Sequence, residues 1–105
     1  NDEQYIEAAR NLAQRMLKEA QPNAVARMNY LGMTLLARPF RTQEIAILSK
    51  SLKDIAGFYK SHEKEAKSLL MVGESKPDAS LAPESLATWT MLTNQLMNLD
   101  EVLNK

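Results

Sequence analysis

Apolar residues recur at steps of three and four along most of the chain, which predicts amphipathic α-helices. In residues 2–20 this repeat is carried by Tyr5, Ile6, Ala9, Leu12, Ala13, Met16 and Leu17. The same spacing predicts helices over residues 24–37, 43–60, 62–72 and 83–98, and a final helical turn or two in residues 99–105. No segment alternates apolar and polar residues, so no strand is predicted. The pattern therefore predicts an all-α fold, a single compact bundle of about five helices over residues 1–105.

Turn-forming residues separate these segments. Asn23, directly after a proline, is predicted to be the N-cap of the second helix, and Thr42 the N-cap of the third. Pro39 ends the second helix, because the residue before a proline avoids the helical region. Gly73 stands where a left-handed residue would close the fourth helix. Gly32, inside the second helix, predicts the close approach of another helix.

Length and charge limit the classes of function. A chain of 105 residues is too short for two independent cores. Thirteen Lys and Arg balance thirteen Asp and Glu, so no net positive field favours binding to nucleic acid. No uncharged stretch is long enough to cross a membrane, so membrane insertion is not predicted. The absence of cysteine excludes disulfides and thiolate chemistry.

Residues that could bind a metal or cofactor have simpler structural interpretations. His62 is the only histidine, and we interpret it as a solvated residue at a helix start, since one imidazole does not make a metal site. Methionines suggest haem or copper ligation, but core packing is favoured for the four that fall on or near apolar stripes: Met16, Met28, Met33 and Met97. Trp89 is predicted to lie in the core, the alternative being a surface contact. No cofactor-binding or metal-binding residue is therefore predicted.

The acidic residues do not indicate a catalytic pair. Asp100 and Glu101 are adjacent, and neighbouring helical residues point about 100° apart, so their carboxylates do not converge. The favoured interpretation is that Asn98 or Asp100 caps a last helical segment. No catalytic residue is predicted.

Three blocks of the sequence carry a family resemblance. These are YIEAARNLAQRMLKEA, the junction LLARPFRTQEI and the segment LLMVGESKPDASLAPESLATWTMLTNQLMNLDEVLNK. With them the chain resembles, over its whole length, the C-terminal domain of unknown function in large exported proteins found chiefly in planctomycetes, the planctomycete secreted domain. It departs from that pattern where Ala37 replaces a frequent Gly, Phe40 a frequent Pro and Ala82 a usual Asp. The last change removes a good N-cap before Pro83.

The resemblance implies a context. The chain would be a fragment of an exported, periplasmic or cell-surface protein that also carries a cytochrome-c-like module, and this domain would itself hold no cofactor. We expect a non-enzymatic helical module that packs against other domains of its parent chain or against a partner protein. Its predicted contact surface consists of polar residues that core packing does not explain: Gly73, Glu74, Asp78, Asn98, Asp100 and Glu101.

Two alternatives stay open. The domain could supply part of the active cleft of a larger redox or carbohydrate-active enzyme, with Glu74, Asp100 and Glu101 as the candidate groups. Alternatively, an amphipathic stripe of the bundle could receive a partner helix in a groove.

Overall fold

The protein is an all-α bundle, as the apolar pattern predicts. A computed structural model describes the backbone of residues 2–103 and the side chains of residues 3–99. The helices within these bounds are α1 (Asp2–Glu19), α2 (Ala24–Leu36), α3 (Thr42–Ser61), α4 (Glu63–Leu70) and α5 (Pro83–Leu103). The described part of the chain contains no strand.

Helix α5 is the centre of the bundle and packs against each of the other four helices. Between Pro83 and Leu99 its only charged residue is Glu84, so it can be covered on nearly every side. Its buried residues are Leu86, Ala87, Thr88, Trp89, Thr90, Leu92, Thr93 and Leu96. Helix α1, its most extensive neighbour, contributes the fully buried Ala9 and Ala13, whose small side chains permit close packing.

The structure confirms some of the predicted helix ends and corrects others. Asn23 is the N-cap of α2, with its Oδ1 accepting a 2.8 Å hydrogen bond from the Ala26 N–H. The prediction for Thr42 was wrong, since Arg41 is the N-cap of α3 and Thr42 the first helical residue. Helix α4 ends at Leu70, two residues earlier than predicted. No separate segment starts near Asn98, because α5 continues without a break to Leu103.

The junction between α2 and α3 folds back onto α2. A Cβ atom on Gly32 would lie 2.8 Å from the carbonyl oxygen of Arg38. The close neighbour of Gly32 is therefore this junction and not another helix, which corrects the prediction. The Asn29 side chain accepts a hydrogen bond from the Phe40 N–H at 3.0 Å, and Arg38 donates to both carboxylate oxygens of Glu44 at 2.9 and 3.1 Å. These polar contacts fix the turn, and the Phe40 side chain packs against the core.

None of the described helices combines the length and the apolar character that a membrane crossing requires.

Candidate interaction surface

A row of polar side chains on α1 holds the loop of residues 71–82 against the bundle. Glu7, Arg10, Gln14 and Lys18 follow one another at steps of three and four, so they lie on one face of α1. All four contact the loop. We call this loop, with its α1 contacts, the strap.

Arg10 is the central residue of the strap and is completely buried. Its Nη1 donates to the carbonyl oxygens of Leu70 and Val72, each at 2.8 Å. Its Nη2 donates to the carbonyl oxygen of Ser75 at 2.7 Å and to its hydroxyl at 2.6 Å. Since carbonyl groups at a helix C-terminus lack intrahelical partners and carry partial negative charge, a guanidinium there closes the end of α4.

Glu7 binds the first part of the loop in the strap. Its carboxylate accepts hydrogen bonds from the Ser75 N–H at 2.6 Å and the Ser75 hydroxyl at 2.5 Å, and these bonds hold its pKa below the ordinary value. Gly73 adopts a left-handed φ of 94°, but the C-cap of α4 is Met71, so the prediction that Gly73 closes this helix was wrong. A Cβ atom at Gly73 would lie 2.5 Å from the Glu7 Cδ, so this position also requires the absence of a side chain.

Asp78 joins the second part of the loop to the C-terminal half of α1. Its N–H donates to the Gln14 Oε1 at 2.8 Å, and its carboxylate forms an ion pair with Lys18. The same carboxylate accepts hydrogen bonds from the Ser80 N–H at 2.8 Å and the Ser80 hydroxyl at 2.6 Å. The Lys18 and Ser80 contacts hold the pKa of Asp78 well below its usual range.

The six residues predicted as a contact surface have different structural roles. Gly73 and Asp78 are engaged within the strap, whereas Glu74 is exposed beside them. Asn98 is exposed on α5. The side chains of Asp100 and Glu101 lie outside the described residues. That these residues contact a partner stays a prediction.

Arg10 is the residue that the sequence analysis missed. It lies between Ala9 and Leu12 of the predicted apolar stripe, in a position where a charged residue is almost never buried without partners. The available signal was the polar repeat from Glu7 to Lys18, which has the same spacing as the apolar stripe.

The residues considered for cofactor chemistry lie mostly where their structural interpretation put them. His62 is an exposed residue at the start of α4, and its ring stacks on Phe58 with 4.0 Å between centroids. Met16 and Met28 are fully buried, but Met33 is 54% exposed, so placing it in the core was wrong. Among the described residues, no three His, Cys, Asp or Glu side chains are grouped so as to hold a metal ion.

Helix α2 exposes a face that carries no charged side chain. Arg27 is its only charged residue, although the helix is 13 residues long. Val25 is 50% exposed and Met33 54% exposed. A shallow groove beside them is lined by Ala20, Gln21, Ala26, Asn29, Tyr30, Met33 and Thr34. We call this uncharged surface the α2 face.

A second depression, of about 470 Å³, lies where α2, α3 and α5 meet. Arg27 reaches across it, with its guanidinium carbon 5.9 Å from the centre of the Trp89 ring. Trp89 is 4% exposed, as its predicted place in the core requires. The remaining lining residues are Ala24, Leu52, Ala56, Ala82, Glu84, Ser85 and Thr88. We call this depression the Arg27 cleft.

The comparisons with known proteins identify no relative. Neither family models, nor curated proteins, nor solved structures contain a match to this chain. The candidate surfaces must therefore be interpreted from their own chemistry.

Proposed function

We propose that this chain is a helical accessory module without catalytic activity of its own, which docks through the α2 face onto a neighbouring domain or a partner protein. As the resemblance implies, we further propose that this neighbour belongs to an exported, cytochrome-c-like protein. The observation that carries the proposal is the α2 face, a surface of exposed apolar side chains on a helix with one charged residue.

The composition of the α2 face is typical of an interface. The centres of protein interfaces are depleted in Lys, Glu and Asp, and are enriched in Met and aromatic residues. Met33 and Tyr30 both line the groove of the α2 face, and none of its lining residues is charged. An exposed apolar surface of this kind costs solvation free energy, which a docked partner would recover.

The ionised side chains near the loops serve the fold. Glu7 and Asp78 hold the strap, and Glu44 holds the junction before α3. Their contacts lower the pKa of all three, that of Glu44 to about 2 through the Arg38 guanidinium and the Arg41 N–H. At neutral pH such carboxylates stay ionised and are weak bases, which is unsuited to general acid–base catalysis.

The test uses calorimetry of the longer natural protein that the resemblance implies. With docking through the α2 face, this module and its neighbour unfold in one coupled transition. The double variant Val25→Glu with Met33→Glu should split that transition, because it introduces charge at two exposed positions of the interface. Ile47→Glu is the matched control, since Ile47 is 67% exposed on α3, and it should leave the transition coupled.

A wild-type protein in which the module and the rest unfold independently would contradict the proposal. So would a double variant that unfolds like the wild type.

A further inference from the structure

The Arg27 cleft contains a cation without a partner. The Nε of Arg27 is buried and makes no hydrogen bond. None of the ion pairs formed by the described residues involves Arg27. The Nε of Arg10 also makes no hydrogen bond, but both Nη atoms of Arg10 donate to the strap, and Arg38 is paired with Glu44. A guanidinium that lies against an indole in a concave site is well placed to bind a carboxylate by donating hydrogen bonds to it.

The first turn of α5 adds further donors to the same cleft. Ala82, Glu84 and Ser85 all line it. Pro83 has no N–H and the Leu86 N–H donates to the Ala82 carbonyl oxygen, so the N–H groups of this turn without an intrahelical acceptor are those of Glu84 and Ser85. The helix dipole places partial positive charge there. Ala82 stands at the residue before α5 and has no side-chain oxygen with which to cap these groups. A carboxylate in the cleft would therefore meet the Arg27 guanidinium and an uncapped helix start.

The floor of the cleft is apolar. Leu52 and Ala56 of α3 and the Trp89 ring line it, so an apolar group entering the cleft would be removed from water. Glu84 is the one anionic side chain on the rim, and it is exposed, so water screens its repulsion of a bound anion. The site thus combines an apolar floor with positive groups at one side.

We propose that the Arg27 cleft binds a segment of a partner protein that presents an apolar side chain next to a carboxylate. This inference rests on the proposed docking function, and it specifies the chemistry of the bound partner. Charge complementarity selects this occupant, because a neutral apolar segment would leave the guanidinium unpaired and a cationic one would be repelled.

Three small probes of similar size test the charge preference. Phenylbutyrate, phenylbutyramide and phenylbutylamine share an aromatic ring and differ in charge. Trp89 is the only tryptophan, so its fluorescence and its indole N–H resonance report occupancy of the cleft directly. We expect saturable binding of phenylbutyrate with a Kd on the order of millimolar, about tenfold weaker binding of the amide, and no binding of the amine.

Three variants of the 105-residue chain change the charge of the cleft. Arg27→Gln should weaken the binding of phenylbutyrate about tenfold, so that phenylbutyrate and the amide bind equally well. Ala82→Asp places a carboxylate at the start of α5, so it should weaken phenylbutyrate while raising thermal stability. Glu84→Gln should strengthen phenylbutyrate binding. Arg15→Gln, at an exposed position of α1, is the control and should change nothing.

Several results would overturn the inference. One is the absence of any Trp89 response to phenylbutyrate, and another is equal affinity for phenylbutyrate and the amide. A third is an Ala82→Asp variant that binds phenylbutyrate as tightly as the wild type. This third outcome keeps the test decisive if Arg27→Gln does not fold. A Trp89 resonance that moves with protein concentration in the absence of probe would assign the cleft to a second copy of the chain. Failure of the calorimetric test with intact probe binding would reject the α2 face and retain the cleft.

Discussion

Arg10 and Ser75 are joined by two hydrogen bonds from one guanidinium nitrogen, at 2.7 Å to the carbonyl oxygen and 2.6 Å to the hydroxyl. The two residues are 65 positions apart in sequence. Through this contact, α1 determines the path of the loop that leads into α5. The strap therefore couples the first helix to the central helix by polar contacts as well as by the apolar core.

Replacing Arg10 should destabilise the protein strongly. Arg10→Met keeps much of the side-chain volume but leaves the carbonyls of Leu70 and Val72 without a donor, at a cost of about 3 kcal/mol in the free energy of unfolding. Urea unfolding followed by Trp89 fluorescence measures this loss. Arg15→Met, at an exposed site on the same helix, should stay within about 0.5 kcal/mol of the wild type. Equal effects of the two substitutions would show that the strap contributes nothing.

Replacing Ala37 by glycine should stabilise the protein. Ala37 follows α2 with a φ of 59°, a left-handed conformation that strains a residue with a Cβ atom. Ala37→Gly removes that strain, and after the larger entropy of the unfolded chain is subtracted we expect a gain of about 0.5 to 1 kcal/mol. Thermal unfolding should show a higher Tm. The control Ala46→Gly, at an exposed position inside α3, should lower the Tm instead.

Replacing Gly73 by alanine should weaken the strap for two separable reasons. The φ of 94° disfavours any side chain, and the new Cβ atom collides with Glu7, so we expect a loss of about 2 kcal/mol. The double variant Gly73→Ala with Glu7→Ala removes the collisions with the Glu7 carboxylate at 2.5 and 2.6 Å, and it keeps both the 2.9 Å contact with the Cβ of residue 7 and the backbone strain. A double-mutant cycle on unfolding free energies should therefore show that Gly73→Ala costs less in the Glu7→Ala background. Additive effects would exclude a collision with the Glu7 carboxylate.

Acid should unfold the protein in a pH range set by its paired carboxylates. Contacts in the folded state lower the pKa of Glu7, Glu44 and Asp78, so the unfolded chain binds more protons as the pH falls. The stability from Glu44 is fully present above its ordinary pKa near 4.5 and is lost as the pH falls toward the folded value of about 2. Urea unfolding between neutral pH and pH 2 measures the slope, which Glu44→Gln should reduce. A slope that Glu44→Gln leaves unchanged would contradict this assignment.

The fold class could be predicted from local pattern because helix formation and amphipathicity depend on residues close in sequence. The repeat in residues 2–20 predicted that Ala9, Leu12, Ala13 and Met16 are buried, and they are. Helix starts could be predicted less well, because Thr42 is of a residue type preferred at N-caps and Arg41 is not. The Glu44 side chain decided that boundary by accepting a hydrogen bond from the Arg41 N–H at 2.7 Å. Several caps compete within one turn, and tertiary contacts select among them.

By itself the sequence determined an all-α bundle, the helices α1 to α5 to within a few residues, and a core that contains Trp89. Only the tertiary structure decided that Arg10 is buried, that the loop after α4 is bound to α1, and that Arg27 stands unpaired over Trp89. The physical reason is range. Helical periodicity reports interactions within a few residues, whereas each of these contacts joins groups from distant segments, whose encounter depends on how the helices pack.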